Sequence, residues 1–351
     1  METTHTLHIG DARAMSAVAD GSVHLVVTSP PYPMIEMWDG AFAEMVPEVG
    51  DLLAAARGMA AFEAMHTALD AVWAECRRVL VPGGFLCINI GDATRTIGGE
   101  FCLYPNHARI LTAAVRLGMT PLPDILWRKP TNAPNKFMGS GMLPAGAYVT
   151  YEHEYVLILR NGGKRAFSEK SRVARAESAF FWEERNAWFS DLWADLPGTG
   201  QRMGKEASRL RSAAFPFELP YRLVNMYALQ GDTVLDPFVG TGTTMVAALA
   251  AGRSSVGYER VDALGAAALG SLGDGVGLGR RRAAERLAAH AAFVRTRTAS
   301  GKALAHVSAV YGFPVMTGQE VALQLVAPTS TRLTAPNRVT ATYEAPFRTN
   351  P

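Results

Sequence analysis

The sequence predicts an α/β protein with a mostly parallel sheet and helices on both faces. The alternation of two kinds of segment leads to this fold class. Short apolar runs of the kind found in buried strands alternate with longer segments of helical periodicity, and this alternation is typical of parallel strands joined by crossover helices. With 351 residues, 48% of them hydrophobic and 19% charged, the chain is long enough for one large domain with an insertion, or for two domains.

The predicted elements follow one another in that alternating order. We predict strands over residues 7–12, 23–28, 85–90, 124–127, 154–159, 233–236 and 254–258, and helices over about 34–81, 106–117, 219–228 and 243–251. The first helical stretch is interrupted around Pro47 and Gly50, and Pro82-Gly83-Gly84 ends it. The strand over 23–28 is apolar enough to be covered on both faces, which places it inside the sheet.

Three segments depart from the α/β pattern. Residues 131–147 are rich in Gly, Pro and Asn and are predicted to form a loop, and residues 160–211 are rich in basic and aromatic side chains. Beyond about residue 270 we predict a glycine-rich break over 273–279, an Ala/Arg-rich helix over 280–297, and loosely ordered last twenty residues.

Composition limits the classes of partner and location. A formal net charge of +2 is too small to attract a polyanion over the whole surface, so a nucleic-acid contact needs a local basic face. The three cysteines have no paired ligand spacing, and their odd number argues against a disulfide framework, which predicts a reduced cytoplasmic protein without a metal. We find no membrane-length apolar stretch and no basic-then-apolar start, and therefore expect no membrane association.

A strand, a glycine-rich turn and a helix form a candidate cofactor site around Asp236. This residue ends a buried strand, where open α/β sheets bind their ligands. Gly240 and Gly242 then allow a tight turn and a close approach of the backbone to a ligand, and Thr243 and Thr244 begin the helix. Glu259, 23 residues after Asp236, ends the next strand and is placed to accept hydrogen bonds from both hydroxyls of a ribose.

This pattern by itself suits more than one nucleotide cofactor. An NAD site uses the same acidic residue, so the glycine turn does not decide. The third glycine of the dinucleotide fingerprint is absent, with Thr244 standing nearby. That absence favours a nucleoside without a pyrophosphate, as in S-adenosylmethionine, over a dinucleotide.

A second motif, Ser29-Pro30-Pro31-Tyr32, follows directly on the strand over 23–28. Taken alone, a Pro-Pro-Tyr segment is equally well explained as a rigid strand exit packed under a loop. Together with Asp236-Pro237-Phe238-x-Gly240-x-Gly242-Thr243-Thr244, however, it resembles the beta group of amino-methyltransferases, the DNA N4-cytosine and N6-adenine enzymes. In that group, as here, the catalytic motif precedes the cofactor motif.

The resemblance covers roughly residues 5 to 265 and implies a Rossmann-like, circularly permuted methyltransferase fold that uses S-adenosylmethionine and no metal. It also extends the predicted cofactor site. The segment 212–220, with Phe215 and Pro216, resembles the part of the family that packs near the cofactor, and Asp11 matches an acidic residue near the adenine. The absence of a Pro-Cys dipeptide argues against a carbon-5 methyltransferase, which needs a thiolate nucleophile.

The chemistry explains why such residues are suited to methylating an exocyclic amino group. The lone pair of that nitrogen is delocalised into the base, and accepting both amino hydrogens turns it toward the methyl donor. Ser29 Oγ and the Pro30 carbonyl are apt acceptors, Pro30 and Pro31 hold the turn rigid, and Tyr32 offers a face for a base flipped out of the duplex. In the family, Ser at position 29 usually accompanies N4 of cytosine, and Asp or Asn accompanies N6 of adenine.

The resemblance also implies a layout and a substrate. We predict a methyltransferase domain over 1–270, consisting of a catalytic half over 1–130, a target-recognition insertion over about 131–211 and a cofactor-binding half over 212–270, followed by an extension over 271–351 of unknown role. The basic and aromatic stretch over about 160–211, with Lys136, is the candidate DNA-facing region. Its alternative interpretation, equally supported, is a solvated face with Trp182, Trp188 and Trp193 in the core. We interpret His153-Glu154 as structural.

The expected function is therefore a site-specific methyltransferase acting on N4 of cytosine in double-stranded DNA, within a restriction-modification system and with a cognate restriction endonuclease as an associated partner. Three alternatives stay open. The first is adenine N6 as the acceptor, the second is RNA or a protein amide as the substrate, and the third is a non-catalytic DNA-binding protein on the same scaffold.

Overall fold

The computed structural model describes residues 1–129, 138–198 and 215–349. The strands of the described chain are β1 (Glu2–Ile9), β2 (Val23–Thr28), β3 (Leu80–Ile90), β4 (Ala93–Ile97), β5 (Glu100–Tyr104), β6 (Met119–Pro121), β7 (Ile125–Arg128), β8 (Met138–Gly139), β9 (Ala147–Tyr148), β10 (His153–Asn161), β11 (Leu192–Trp193), β12 (Thr233–Asp236), β13 (Ser254–Glu259), β14 (His306–Val307), β15 (Pro314–Val315), β16 (Ala327–Ala335) and β17 (Arg338–Glu344). The helices are α1 (Asp39–Met45), α2 (Glu48–Ala54), α3 (Gly58–Val79), α4 (Asn106–Arg116), α5 (Glu169–Glu177), α6 (Trp182–Trp188), α7 (Glu218–Tyr227), α8 (Thr243–Ala250) and α9 (Asp262–Ala299), with 3-10 turns at Glu36–Trp38 and Gly318–Glu320.

One large sheet organises the molecule. Its strands lie in the order β11-β7-β10-β3-β2-β12-β13-β1-β17-β16, and β6 also pairs with β10. The five central strands, β3, β2, β12, β13 and β1, are mutually parallel. β10 pairs antiparallel to β3 on one side, and β17 pairs antiparallel to β1 on the other. The predicted α/β class with a mostly parallel sheet is confirmed.

Helices cover both faces of this sheet because successive strand residues point to opposite sides. Val26 of β2 packs in one apolar cluster with Phe62 and Trp73 of α3. Its neighbour Leu25 packs in a second cluster, with Leu223 of α7 on the other face. β2 is thus covered on both sides, as its continuous apolar run predicts.

The glycine-rich break predicted over 273–279 is wrong, because α9 runs through it as one helix of 38 residues. Close packing explains two of these glycines, Gly275 and Gly279. A Cβ at Gly279 would lie 2.8 Å from Pro328 Cγ, and one at Gly275 would lie 3.3 Å from Val246 Cγ1. The helix interior tolerates glycine here because neighbouring elements approach its backbone where a side chain would clash.

The loose order predicted for the last twenty residues is also wrong. β16 and β17 form an antiparallel hairpin, and β17 adds to the main sheet with Thr340 opposite Thr4 of β1. The Thr-rich composition suits strands once a partner strand is present. The predicted boundary at residue 270 falls within α9, and the division of the chain into domains stays a prediction.

No helix in the described part of the chain is both long and apolar enough to span a membrane.

Candidate active site

The five parallel strands end at one edge of the sheet, which we call the carboxyl edge. Side chains at or just after these strand ends are Asp92 after β3, Ser29 after β2, Asp236 on β12, Glu259 on β13 and Asp11 after β1. Because neighbouring parallel strands are in register, residues that are far apart in sequence become neighbours here. Open α/β sheets bind ligands at this edge.

The predicted catalytic turn and the predicted cofactor acid are joined by one hydrogen bond. Thr28, the last residue of β2, donates from Oγ1 to Asp236 Oδ1 over 2.7 Å, and both residues are buried. The backbone N–H of Phe238 donates to the same oxygen over 3.0 Å. Ser29 therefore begins its turn directly beside the end of β12. No motif in the sequence singled out Thr28, although its position immediately before Ser29 placed it at the strand end.

Burial raises the pKa of the Asp236 carboxyl from 3.8 to about 6, although the hydrogen bond from Thr28 acts in the opposite direction. An acid whose pKa is raised by folding stabilises the fold most below its unfolded pKa, and this contribution is lost as the pH rises through the folded value. The stability contributed by Asp236 therefore declines between about pH 4 and pH 6.

Asp236→Asn removes this titration while keeping an oxygen that accepts from Thr28. We expect the thermal midpoint of the variant, relative to the native protein, to increase when the pH is raised from 5 to 7.5. Differential scanning calorimetry at several pH values measures it, with the exposed Asp274→Asn as a matched control that follows the native curve. A difference between Asp236→Asn and the native protein that is flat across this pH range would contradict the raised pKa.

Hydrogen bonds to the Tyr32 hydroxyl hold the Ser29-Pro30-Pro31-Tyr32 turn in place. Ser29 Oγ donates to the Tyr32 hydroxyl over 3.1 Å, and that hydroxyl donates to Glu154 Oε2 over 3.0 Å. Asn89 Nδ2 donates to the Tyr32 hydroxyl over 2.8 Å. Ser29, Pro31 and Tyr32 stay partly exposed, whereas Pro30 is buried. Asn89 and Glu154 lie on β3 and β10, and the sequence analysis assigned them no role in the site.

The glycine turn after β12 leaves its backbone uncovered at Gly240. Gly240 has φ +54°, and a Cβ built on it meets nothing within 4 Å. Its N–H donates to Glu259 Oε2 over 2.9 Å, while Glu259 Oε1 accepts the N–H groups of Arg260 and Val261. The carboxylate of Glu259 is thus oriented by the backbone beside an open space, which suits a ribose with its two vicinal hydroxyls.

Gly10 connects the first strand to the same place, since its N–H donates to the Glu259 carbonyl over 2.8 Å. The next residue, Asp11, accepts from Arg13 Nη2 over 2.7 Å and is partly exposed. The structure therefore brings together Asp11, Gly240 and Glu259 on neighbouring strand ends. Carboxylates and backbone at neighbouring strand ends of an open α/β sheet are groups that can form hydrogen bonds with a nucleoside.

The other predicted cofactor residues divide into two groups. Gly242 has φ +89°, and its Cβ would lie 3.0 Å from Ala268 Cα, so this glycine makes room for α9. Thr244 is buried and donates to the Val27 carbonyl over 3.4 Å, which joins α8 to β2. Pro216, Phe238 and Thr243 are partly exposed, while Phe215 and Pro237 are buried. Residues 212–214 lie outside the described residues.

The described residues contain no group of three or more His, Cys, Asp or Glu side chains arranged to hold a metal ion.

Comparison with known proteins identifies the family. A model for N6/N4 methyltransferases, described as DNA methylase, matches residues 23–264, well over half of the chain. The chain belongs to this DNA methylase family. The methylase is 48% identical over 330 residues to the type II methyltransferase M.MthZI of Methanothermobacter thermautotrophicus, covering 93% of this chain and 92% of that relative. It is 49% identical over 268 residues to M.MjaI of Methanocaldococcus jannaschii, covering 73% and 87% respectively.

Solved structures agree with the fold of the methylase. TTHA0409 of Thermus thermophilus, in complex with S-adenosyl-L-methionine, superposes with a TM-score of 0.60 at 34% identity, covering 78% of this chain and 94% of that one. PvuII DNA methyltransferase, which is cytosine-N4-specific, superposes with a TM-score of 0.54 at 18% identity over 76% and 86% of the two chains, and shows the fold alone. The methylase therefore has the Rossmann-like methyltransferase fold, with its strand-exit motif before its glycine motif in sequence.

The described part of the basic and aromatic stretch of the methylase is mixed: Trp182 is partly exposed, and Lys164, Lys170, Arg172 and Arg175 are exposed. Phe181, Trp188 and Trp193 are buried. Arg165 pairs with Asp232, with Nη1 and Oδ2 2.6 Å apart, just before the amino end of β12. This ion pair lies at the sheet edge opposite the carboxyl edge. The basic residues Lys136, Arg202, Lys205, Arg209 and Arg211, which the sequence predicts to face DNA, lie outside the described residues.

Arg165→Ala tests the structural role of this pair. Asp232 is buried, so the variant leaves a carboxylate with fewer partners, and we expect a loss of about 1–3 kcal/mol in the free energy of unfolding with DNA affinity unchanged. Urea denaturation and DNA titration measure the two quantities. Arg295→Ala, at an exposed position of α9 outside this stretch, is the matched control and should change neither. Weakened DNA binding at native stability would return Arg165 to the DNA-facing surface.

Proposed function

We propose that this methylase transfers a methyl group from S-adenosylmethionine to N4 of a flipped cytosine in duplex DNA. One observation carries the proposal: the hydrogen bond from Thr28 to Asp236 puts the Ser29 hydroxyl next to the end of the cofactor strand. An acceptor for amino hydrogens and a pocket for a methyl donor thus adjoin each other. Alignment of this kind accounts for much of the rate gain in direct group transfer.

The residues of the turn have separate tasks in this mechanism. S-adenosylmethionine, when bound, supplies an electrophilic methyl group on sulfur. Ser29 Oγ and the Pro30 carbonyl accept the two hydrogens of the cytosine amino group, which directs its lone pair toward the cofactor pocket. Tyr32, whose hydroxyl is held by Glu154, keeps its ring fixed beside the flipped base, where stacking contributes about 1–3 kcal/mol.

The cofactor pocket is formed by the turn and the two flanking strand ends. Glu259 accepts hydrogen bonds from the ribose hydroxyls, Asp11 lies toward the adenine, and Gly240 lets the backbone approach. The solved relative TTHA0409, at 34% identity, supports this assignment because it was determined with S-adenosyl-L-methionine. The pocket offers carboxylate oxygens and backbone N–H groups at neighbouring strand ends. These groups can form hydrogen bonds with the hydroxyls of a ribose, which carries no charge.

Ser29 supports cytosine over adenine as the target base, because a hydroxyl acceptor accompanies N4 methylation in the family. Double-stranded DNA is the substrate, and a modification role in a type II restriction-modification system follows from the relatives named as type II methyltransferases. A cognate restriction endonuclease would recognise the same DNA sequence. The target-recognition insertion is assigned to about residues 131–211, with the boundaries 1–130 and 212–270 for the catalytic and cofactor-binding halves.

The deciding experiment is mass spectrometry of nucleosides from duplex DNA incubated with the protein and isotopically labelled S-adenosylmethionine. We expect labelled N4-methylcytosine. Labelled N6-methyladenine would keep the fold and the cofactor pocket but overturn the inference from Ser29. Unlabelled DNA, with cofactor binding demonstrated by calorimetry, would overturn the proposed reaction in favour of a non-catalytic DNA-binding protein or another substrate.

A further inference from the structure

A chain of polar side chains runs from the catalytic turn to β7 under the carboxyl edge. It begins with Ser29 and Tyr32, passes to Glu154 on β10, and ends at Lys129, whose Nζ lies 2.9 Å from Glu154 Oε1. Asn89 Nδ2 donates to both Tyr32 and Glu154, over 2.8 Å and 2.7 Å. The Glu154 side chain is only 13% exposed, while Lys129 is 39% exposed and reaches solvent.

The direction of each hydrogen bond follows from the chemistry of the carboxylate. An ionised Glu154 can only accept, and it does so from Lys129, Asn89 and Tyr32. The single hydroxyl hydrogen of Tyr32 is therefore engaged by Glu154. Burial, together with the negative charge of Glu154, raises the pKa of the Tyr32 phenol well above its ordinary value, so the phenol keeps this hydrogen.

The same logic determines the orientation of Asn89. Its two amide hydrogens are used by Tyr32 and Glu154, and its Oδ1 has no hydrogen-bond partner among the described residues. Turning the amide over would place Oδ1 against the carboxylate oxygen, where two acceptors repel. Glu154 therefore holds Asn89 as a donor to the Tyr32 oxygen as well.

Ser29 lies at the opposite end of this series of hydrogen bonds from Lys129. Because the Tyr32 hydrogen points to Glu154, the Tyr32 oxygen can only accept from Ser29, and the Ser29 hydroxyl hydrogen is directed inward over 3.1 Å. The lone pairs of Ser29 Oγ are then free toward the exposed side. A hydroxyl in this state accepts from an amino group and has no hydrogen to offer to a carbonyl oxygen.

We infer that Glu154, held by Lys129, is a positioning residue that makes Ser29 an obligate hydrogen-bond acceptor for the amino group of the target base. This inference rests on the proposed methyl transfer to an exocyclic amino group. Glu154 acts through Tyr32 and touches neither the base nor the cofactor. By itself, the Ser29 hydroxyl can both donate and accept a hydrogen bond. Glu154, acting through Tyr32, directs the Ser29 hydrogen inward and leaves Ser29 as an acceptor toward the base.

Glu154→Gln tests the polarity with almost no change in shape. Lys129 continues to attract the amide oxygen, so the amide nitrogen faces Tyr32 and also Asn89 Nδ2, which donates to this position in the native protein. The test is therefore made in an Asn89→Leu background, where no amide at position 89 can turn over and accept the Tyr32 hydrogen, and every kcat is compared with that of Asn89→Leu. The amide nitrogen donates to Tyr32, the Tyr32 hydrogen then points to Ser29, and the Ser29 hydrogen points outward to the amino group of the base. We expect kcat to fall about 10- to 100-fold, while the Kd for S-adenosylmethionine and the KM for DNA change less than about 3-fold.

A second substitution distinguishes polarity from general structural damage. In the double variant Lys129→Met/Glu154→Gln, nothing holds the amide oxygen on the Lys129 side, which is open to solvent. The amide can turn its oxygen to Tyr32 and its nitrogen to water, which restores the native direction. We expect the double variant to recover at least about a third of the Asn89→Leu kcat, although it carries more substitutions than Glu154→Gln alone.

Tyr32→Phe keeps the aromatic ring and removes the hydroxyl that links Ser29 to Glu154, so we expect kcat to fall. Adding Glu154→Gln to this variant should then change kcat no further. An unchanged kcat in Glu154→Gln, or equal losses in the single and double variants, would overturn the inference. Circular dichroism shows whether Glu154→Gln folds. If it does not fold, an unchanged kcat in Tyr32→Phe would still overturn the inference. Failure of the proposed function is separate, because the native protein would then transfer no label to DNA.

Discussion

Ser29→Ala is expected to lose about 100- to 1,000-fold in kcat while binding S-adenosylmethionine with native affinity. The hydroxyl is the acceptor that orients the amino group, and removing one preorganised hydrogen-bonding group from a transition state has an effect of this size. The cofactor pocket is unaffected, because Asp236 receives its hydrogen bonds from Thr28 and Phe238 and none from Ser29. Single-turnover methylation with labelled cofactor and calorimetry of cofactor binding measure the two quantities.

The same strand offers a matched control at its other end. Ser22→Ala removes a hydroxyl that donates to the Ala19 carbonyl over 2.7 Å at the exposed start of β2. We expect native turnover from this variant. Native turnover from Ser29→Ala would remove Ser29 from the catalytic role, and equal losses from both variants would indicate a general effect on β2.

Gly240→Val is expected to weaken the binding of S-adenosylmethionine by about 100-fold or more. Two effects add. A β-branched residue at φ +54° is strained by about 1–3 kcal/mol, and its side chain would project into the open space beside Glu259 that we assign to the ribose. Apart from the glycine and its two chain neighbours, no atom of the described residues lies within 4 Å of the new Cβ, so the side chain would obstruct the ligand rather than the fold. Calorimetric titration with S-adenosylmethionine measures the effect.

Gly231→Val separates the strain from the obstruction. Gly231 has φ +82°, again with nothing within 4 Å of an added Cβ, and it lies in the turn before β12 at the opposite edge of the sheet. The control should share the loss in thermal midpoint and retain cofactor affinity. Native affinity in Gly240→Val, or equal weakening in both variants, would contradict the assignment of the cofactor pocket to the Gly240 turn.

Much of the fold follows from local patterns in the sequence. The strand over 23–28 coincides with β2 because a continuous apolar run predicts a strand buried on both faces. The C-terminal third is where local reasoning was wrong. Glycines at 275 and 279 disfavour a helix locally, but α9 gains from packing closely against α8 and Pro328. The β16–β17 hairpin likewise depends on pairing with β1, more than 300 residues away in sequence.

In the site, too, some residues follow from local sequence and others depend on contacts between distant parts of the chain. Ser29, Asp236, Gly240 and Glu259 were predicted because each lies at a strand end or in a turn with a characteristic composition. Gly242 was assigned to ligand approach from the same motif, whereas the structure places α9 against it. Composition also grouped Arg165 with the DNA-facing residues, and only the ion pair with Asp232 placed it at the opposite edge.

By itself, the sequence determined the fold class, the family and the order of the two motifs, because apolar periodicity and short turn motifs are local properties of the chain. Which side chains support the motifs became evident from the folded protein. Thr28 meets Asp236 across 208 positions and Tyr32 meets Glu154 across 122. Such contacts arise from the order and register of strands in the sheet, and a hydrogen bond between residues so far apart has no signature in local sequence.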